Sequence, residues 1–208
     1  MTVGAGGVTK ADSRGIFLSD GTGSYTPLAR LGKPSGVLGS NFATLKDPVL
    51  SADDAIAFTA VLKGGTAKGL ATKTLWWRPS GGALTLLAQG GTRPSADLPA
   101  DAQWKAFTSL AIAGGGRGPI FAATLVPKKG GVTGNNATGV WACDFTDSPR
   151  LLFRVGDTIG GKMLKNFTLL KATVGNLGIT RSFNDIAEVV WLATFADKTT
   201  AIITTEVP

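Results

Sequence analysis

Histidine is absent from the 208-residue sequence, and cysteine occurs once, as Cys143. Without histidine the chain cannot form a Ser-His-Asp triad, a Cys-His nucleophilic pair or an HExxH zinc site. A single cysteine cannot form an intramolecular disulfide. Because Cys143 lies in an apolar segment, we expect a buried thiol rather than a nucleophile. We therefore predict that the protein is not an enzyme, with no catalytic residue, no metal site and no cofactor.

Long hydrophobic runs and dense charge clusters are also lacking. No run of about eighteen apolar residues occurs, so no membrane span is predicted, and residues 1–15 lack the layout of a signal peptide. The net charge is +7, yet the basic residues are scattered, with their densest cluster at Lys128 and Lys129. Such a surface attracts anions, but no nucleic-acid motif accompanies it. We predict no specific nucleic-acid binding and leave open a glycan or another anionic ligand.

Three near-copies of one hairpin run through the chain. They read GIFLSDGTGSYTPLARLG from Gly15, TLWWRPSGGALTLLAQGG from Thr74 and GVWACDFTDSPRLLFRVG from Gly139. Two further segments recur in the same order, FATL, FTSL and FTLL, then AIAFTAVL, PIFAATLV and EVVWLATF. These segments are rich in β-branched and aromatic residues and are bounded by turn formers, which is typical of strands. The repeating unit, about sixty residues long, is therefore predicted to contain four strands.

The repeat predicts one domain, residues 1–208, with units at about 15–73, 74–138 and 139–200 and an extra closing strand at 201–207. Four-stranded antiparallel units of this kind indicate an all-β, β-propeller-like fold. Known propellers have about four to eight blades, so three units are too few to close a ring. We predict half of a six-bladed ring, completed by a homodimer through the closing strand. The alternative is a piece of a longer propeller.

The phrases LARLGKP, LLFRVGD, FATLKDPVLSADDAIAF and NDIAEVVW resemble the tandem repeats of an uncharacterised family of bacterial secreted or surface proteins. Those repeats read Arg-x-Gly-Asp-Pro and then Asn-Asp-x-Gly-x-Val-Ala-Phe. The resemblance implies a propeller-like β fold, an extracellular or cell-surface location and no catalytic residues. The sequence departs from the pattern, because the aspartate after Arg-x-Gly remains only as Asp157, with Lys33 and Thr92 in the other units. The Asn-Asp pair remains only as Asn184 and Asp185.

Charged residues at repeat positions are the first candidate binding residues. Arg30 and Arg154, with Gln89 between them, could bind an anion in a shared channel, because a guanidinium matches carboxylate and phosphate groups. The favoured interpretation is that they brace backbone carbonyls of a neighbouring blade. Asp157 is a candidate ligand-binding residue because carboxylate oxygens bind calcium. For it and the other loop aspartates, turn capping is favoured; these are Asp20, Asp144 and Asp147.

Tryptophans are the second group of candidates. Trp76, Trp141 and Trp191 occupy repeat positions, which favours packing between blades. Trp77 and Trp104 have no aromatic counterparts in the other units. We therefore expect these two indoles to be exposed and to be the better candidates for stacking on a sugar.

These observations favour a non-catalytic structural or ligand-binding module that self-associates. A carbohydrate-binding, lectin-like propeller is the alternative. A propeller hydrolase or lyase that uses carboxylates is the second alternative, and it requires several acidic residues that converge on one point.

Overall fold

The computed structural model describes residues 8–10, 12–46, 48–112, 116–169 and 188–208. Within these ranges the chain forms four antiparallel sheets and no α-helix, only a short 3₁₀ turn at Gly69–Thr72. The strands are β1 Gly15–Ser19, β2 Tyr25–Arg30, β3 Asn41–Leu45, β4 Val49–Leu50, β5 Ile56–Lys63, β6 Lys73–Arg78, β7 Thr85–Gln89, β8 Trp104–Ala111, β9 Ile120–Leu125, β10 Thr138–Cys143, β11 Pro149–Arg154, β12 Thr158–Ile159, β13 Lys162–Leu169, β14 Glu188–Phe195 and β15 Thr200–Glu206. The predicted all-β class is confirmed, and the sheets are consistent with a propeller-like fold.

We number the sheets in chain order. Sheet I is the hairpin β1-β2, and sheet II has the order β3-β5-β6-β7 with β4 beside β5. Sheet III has the order β11-β10-β9-β8, and sheet IV has the order β12-β13-β14-β15. Each full sheet therefore combines the last two strands of one sequence unit with the first strand or strands of the next. The offset arises because the fourth strand of a unit pairs along its length with the first strand of the next unit, as β5 does with β6.

The three hairpin copies share one irregularity in register. A β-bulge follows Ile16 in the pair β1-β2, Leu75 in β6-β7 and Val140 in β10-β11. A bulge adds one residue to a strand and increases its local twist. Its recurrence gives the next residue in each copy, Phe17, Trp76 or Trp141, the same place in the sheet. The sequence repeat is therefore also a repeat of backbone geometry.

The sheets pack on one another through apolar faces. We call the face that carries Phe17, Trp76, Trp141 and Ile203 the front face, and the opposite face the back face. Three interfaces join a back face to the next front face. Their main residues are Ile16 and Ala29 against Phe42, Phe58 and Trp76; Leu75 and Ala88 against Trp104, Phe121 and Trp141; and Val140 and Phe153 against Leu164 and Trp191. Burial of these aromatic rings is the main stabilising contribution, because each removes a large apolar area from water.

The last interface conserves volume by exchanging large and small side chains. Phe153 stands where the other hairpins have Ala29 and Ala88, and its ring stacks on Trp191 with centroids 3.8 Å apart. In return, β15 carries Ile203 where β6 and β10 carry tryptophan. A large residue on one face thus compensates for a smaller one on the other, as close packing requires.

Among the residues that the structure describes, there is no helix long and apolar enough to cross a lipid bilayer.

Candidate functional site

A four-residue turn ends the second strand of each hairpin, at residues 30–33, 89–92 and 154–157. Its third residue is glycine with a positive φ of 72°, 82° or 95°. The N–H of that glycine donates a 2.8 Å hydrogen bond to a strand of the following sheet, at the carbonyl of Phe42 in β3, Trp104 in β8 or Leu164 in β13. A side chain at this φ is strained, so the turn favours glycine. This turn, Arg-x-Gly in two copies and Gln-Gly-Gly in the other, therefore marks the connection between sheets.

The first residue of this turn braces the loop that leads into its own hairpin. The Arg30 Nε donates to the Asp12 carbonyl at 2.8 Å, and its Nη2 donates to the Asp12 carboxylate at 2.9 Å. The Gln89 Nε2 donates to the Ala71 carbonyl at 2.7 Å. Both acceptors precede their donors by 18 residues. The favoured interpretation, backbone bracing, describes both contacts, although the carbonyl belongs to the hairpin's own loop and not to a neighbouring blade.

Arg154 occupies the same position in the third hairpin without the same contacts. Its backbone N–H donates to the Asp157 carboxylate at 2.7 Å. Its Nε and Nη1 are buried, and no group of the described residues accepts a hydrogen bond from them. Arg30 lies on sheet I and Arg154 on sheet III, and sheet II lies between them. The Arg30 guanidinium is already paired with the Asp12 carboxylate, so it does not share an anion with Arg154 in this structure.

Loop aspartates serve as turn acceptors. Asp20 and Asp144 each accept two backbone N–H bonds in their own hairpin turns, at 2.8 and 3.1 Å. Hydrogen bonds, chiefly from Thr22 and Thr146 respectively, hold the pKa of both carboxyls below the ordinary value. Asp147 accepts the indole N–H of Trp77 at 3.0 Å. Asp185, from the one remaining Asn-Asp pair, lies outside the described residues, and within those residues no cluster of three potential metal ligands occurs.

Trp77 and Trp104 are buried, which corrects the expectation that they are exposed. Each is only 1% accessible. Trp77 lies on the back face of sheet II, and its indole N–H reaches across to the Asp147 turn. Trp104 packs edge-on against Trp141, with ring centroids 4.6 Å apart. Neither indole offers a face to a sugar in this conformation. The two tryptophans proposed to stack on a sugar therefore do not support the lectin-like alternative.

The reason for this error differs between the two residues. Trp104 holds in β8 the position of Phe42 in β3 and of Leu164 in β13, because the N–H groups of Gly32, Gly91 and Gly156 donate to Phe42, Trp104 and Leu164 respectively. Trp104 therefore has an aromatic counterpart in Phe42, which the sequence comparison had aligned with Phe107. The counterpart of Trp77 in the third hairpin is Ala142. The larger tryptophan side chain is accommodated on the back face of sheet II because the residues beside it on that face are small. Ala55 and Ala57 are those neighbours.

Cys143 is buried on the front face of sheet III, as expected. Burial, together with the nearby Asp147 and Asp144 carboxylates, raises the pKa of the thiol well above its ordinary value. A thiol is nucleophilic only as the thiolate, so we expect Cys143 to be unreactive toward a disulfide reagent in the native protein at pH 8 and fully reactive in denaturant. A spectrophotometric thiol assay with and without urea measures this difference. Prompt stoichiometric labelling of the folded chain would contradict the burial of Cys143.

The two ends of the stack carry open edges. In sheets II and III the strands equivalent to β1 and β15, namely β6 and β10, are paired on both edges. Among the described strands, β1 pairs only with β2, and β15 pairs only with β14. The equivalent back-face residues are buried completely at Leu75 and Val140, whereas Ile202 of β15 is 71% exposed. Sheet IV therefore presents an open edge beside an uncovered apolar side chain.

Comparison with known proteins gives one family and no individual relative. No curated protein and no solved structure matches the chain. A family model does match, over residues 2–208, and its description is "Family of unknown function (DUF7453)". Because the match spans the whole described fold, the chain belongs to this family of unknown function.

Proposed function

We propose that the chain is a non-catalytic, β-propeller-like structural or binding module that self-associates through its C-terminal strand. The observation that carries the proposal is the pair of open edges. The outer edge of β15 and the free edge of β1 are the edges at which the equivalent strands β6 and β10 have partners. Unpaired N–H and C=O groups on such an edge are ready to pair with another strand.

In the proposed dimer the edge of β15 pairs with β1 of a second copy. The joined sheet would contain sheet IV of one copy and sheet I of the other, so each copy contributes sheets II and III together with one joined sheet. Two copies then give the six-bladed ring predicted from the sequence. Because β1 and β15 hold the same place in the repeat, the joined sheet contains this strand twice. Sheet II of the second copy, which packs behind β1, then extends toward the back face of β15 and Ile202. We also propose an extracellular or cell-surface location, and only the sequence resemblance supports this part of the proposal.

Light scattering coupled to size exclusion tests the assembly. We expect the wild-type chain to elute with twice its mass of 21.3 kDa. Ile202→Lys places a charge at the proposed contact and is expected to give the mass of one chain, because an inward-facing charge on an edge strand opposes pairing. Leu38→Lys is the matched control, since Leu38 is 79% exposed and lies between β2 and β3. It should leave the mass of two chains unchanged.

Two results would contradict the proposal. One is a wild-type chain that remains monomeric at every concentration tested. The open edges of β1 and β15 would then have to pair with other segments of a longer protein. The other is an equal loss of dimer in both lysine variants, which would mean that added charge acts without regard to position. Circular dichroism of Ile202→Lys should match the wild type, because Ile202 makes no buried contact within the chain.

A further inference from the structure

We propose that Lys46 and Lys73 bind a phosphate group in a crevice between sheets II and III. The crevice has a volume of about 160 Å³ and lies between the back face of sheet II and strand β8 of sheet III. All of it is formed within one chain, so the site does not depend on the proposed dimer. Its lining includes Lys46, Thr59, Val61 and Lys73 from sheet II and Ala106 and Phe107 from sheet III.

Strand register places both lysines on the back face of sheet II. Lys73 pairs with Val61, and the N–H of Lys46 donates to the Thr59 carbonyl at 3.0 Å. Thr59 in turn pairs with Leu75, whose side chain lies in the core between sheets II and III. Residues paired across a sheet point to the same face, and so do residues two apart along a strand. The two lysines therefore lie on the face toward sheet III, with their Cα atoms about 12 Å apart across two strand spacings.

The crevice brings two positive charges together without a negative one. Among the described residues, no carboxylate lines it, and no ion pair includes Lys46 or Lys73. Both side chains are exposed, so each flexible four-carbon stem can turn toward a shared anion. An anion held between two ammonium groups gains a charge-assisted contact from each. The apolar side chains of Val61 and Phe107 beside it reduce the screening of these contacts by water.

The size and the remaining donor favour a phosphate group. At about 30 Å³ per water molecule, the crevice holds about five waters, which is the number of heavy atoms in one phosphate ion. Thr59 is half-buried on the same face, between the strands that carry the two lysines, and its hydroxyl can donate to a phosphate oxygen. The limited volume disfavours a longer polyanion. The ligand is therefore a single phosphate group, either free or at the end of a monoester.

Sheet III shows that the fold does not require lysine at these positions. By the same strand pairing, Thr138 of β10 corresponds to Lys73, and Ser109 of β8 corresponds to Lys46. Both are uncharged, although they face the next interface in the same way. The two lysines therefore belong to one interface and not to the packing that all the units repeat.

Titration of the full chain with inorganic phosphate tests the site by ¹H–¹⁵N correlation NMR, with chloride adjusted to keep the ionic strength constant. We expect saturable shifts of the backbone amide signals of Thr59, Val61 and Lys73, because these residues line the crevice. Lys73→Thr and Lys46→Ser copy sheet III, and each should weaken binding at least about tenfold, since each removes one charge-assisted contact. Amide signals that do not shift saturably in the wild-type chain would overturn the proposal.

Lys165→Thr is the matched control. Lys165 is also an exposed lysine on a strand, but it belongs to β13 of sheet IV and does not line the crevice. Its loss should change the phosphate affinity by no more than about twofold, because salt screens a charge on a distant sheet. An equal loss of affinity in all three variants would show attraction to net charge alone and would contradict the site. Circular dichroism of each variant should match the wild type, since the replaced side chains are exposed.

Glycerol 3-phosphate in a parallel titration distinguishes the two sources of the phosphate group. Binding at least as tight as that of inorganic phosphate would assign the crevice to a monoester, and binding of inorganic phosphate alone would assign it to the free ion. Either result supports the site only if it is lost in Lys73→Thr and kept in Lys165→Thr. Light scattering of the same samples measures the dimer separately, so failure of one proposal is not mistaken for failure of the other.

Discussion

Trp141→Ala is expected to lower the free energy of unfolding by about 3–5 kcal/mol, the cost typical of truncating a fully buried tryptophan. The ring of Trp141 is completely buried at the interface between sheets II and III. It stacks on Phe121 with centroids 6.3 Å apart and meets Trp104 edge-on at 4.6 Å. Removal of the indole leaves a cavity between two sheets, and neither backbone can move to fill it without breaking strand pairing. Urea denaturation followed by far-ultraviolet circular dichroism measures the loss.

Leu38→Ala is the control for this experiment. Its side chain is exposed, so the free energy of unfolding should change by no more than about 0.5 kcal/mol. Both variants are compared with the wild type at one protein concentration, because self-association adds to apparent stability. A loss at Trp141 no larger than that at Leu38 would mean that sheets II and III do not pack through this ring.

The recurring tryptophans illustrate what the sequence could predict. Trp76, Trp141 and Trp191 were expected in the core because they recur in register, and all three are buried. Recurrence is informative because an equivalent position in each sheet meets an equivalent face of its neighbour. The units were also predicted to be antiparallel, and β3-β5, β8-β9 and β13-β14 pair in this way.

Residues without a counterpart were harder to predict. The exposure of Trp77 was wrongly inferred from the lack of an aromatic equivalent, whereas burial depends on volume and not on ring chemistry. The exposure of Trp104 was wrongly inferred because its structural counterpart, Phe42, had been aligned with Phe107. The partners of Arg30 and Gln89 were missed for another reason. Asp12 and Ala71 lie in loops of dissimilar sequence, and only their constant distance of 18 residues from Arg30 and Gln89 relates them. That offset becomes meaningful once the hydrogen bonds of Arg30 and Gln89 are known.

The loop that joins β5 to the 3₁₀ turn gives the second large effect. Gly65 has a positive φ of 52°, and a Cβ placed on it would clash with the Leu38 carbonyl oxygen and the Gly39 carbonyl carbon. These contacts are with backbone, which cannot rotate away as a side chain can. The neighbouring Ser40 hydroxyl donates to the Gly64 carbonyl at 2.9 Å and holds the two loops together.

We therefore expect Gly65→Ala to lower the free energy of unfolding by about 2–5 kcal/mol, from left-handed strain of about 1–2 kcal/mol and overpacking of about 1–3 kcal/mol. Gly131→Ala separates these causes. Gly131 has a φ of 68°, and no atom lies within 4 Å of its added Cβ, so only the strain of about 1–2 kcal/mol applies. Urea denaturation of both variants gives the difference. Equal losses would show that the Gly39 and Gly65 loops are farther apart than this structure places them, because backbone strain alone would then explain both substitutions.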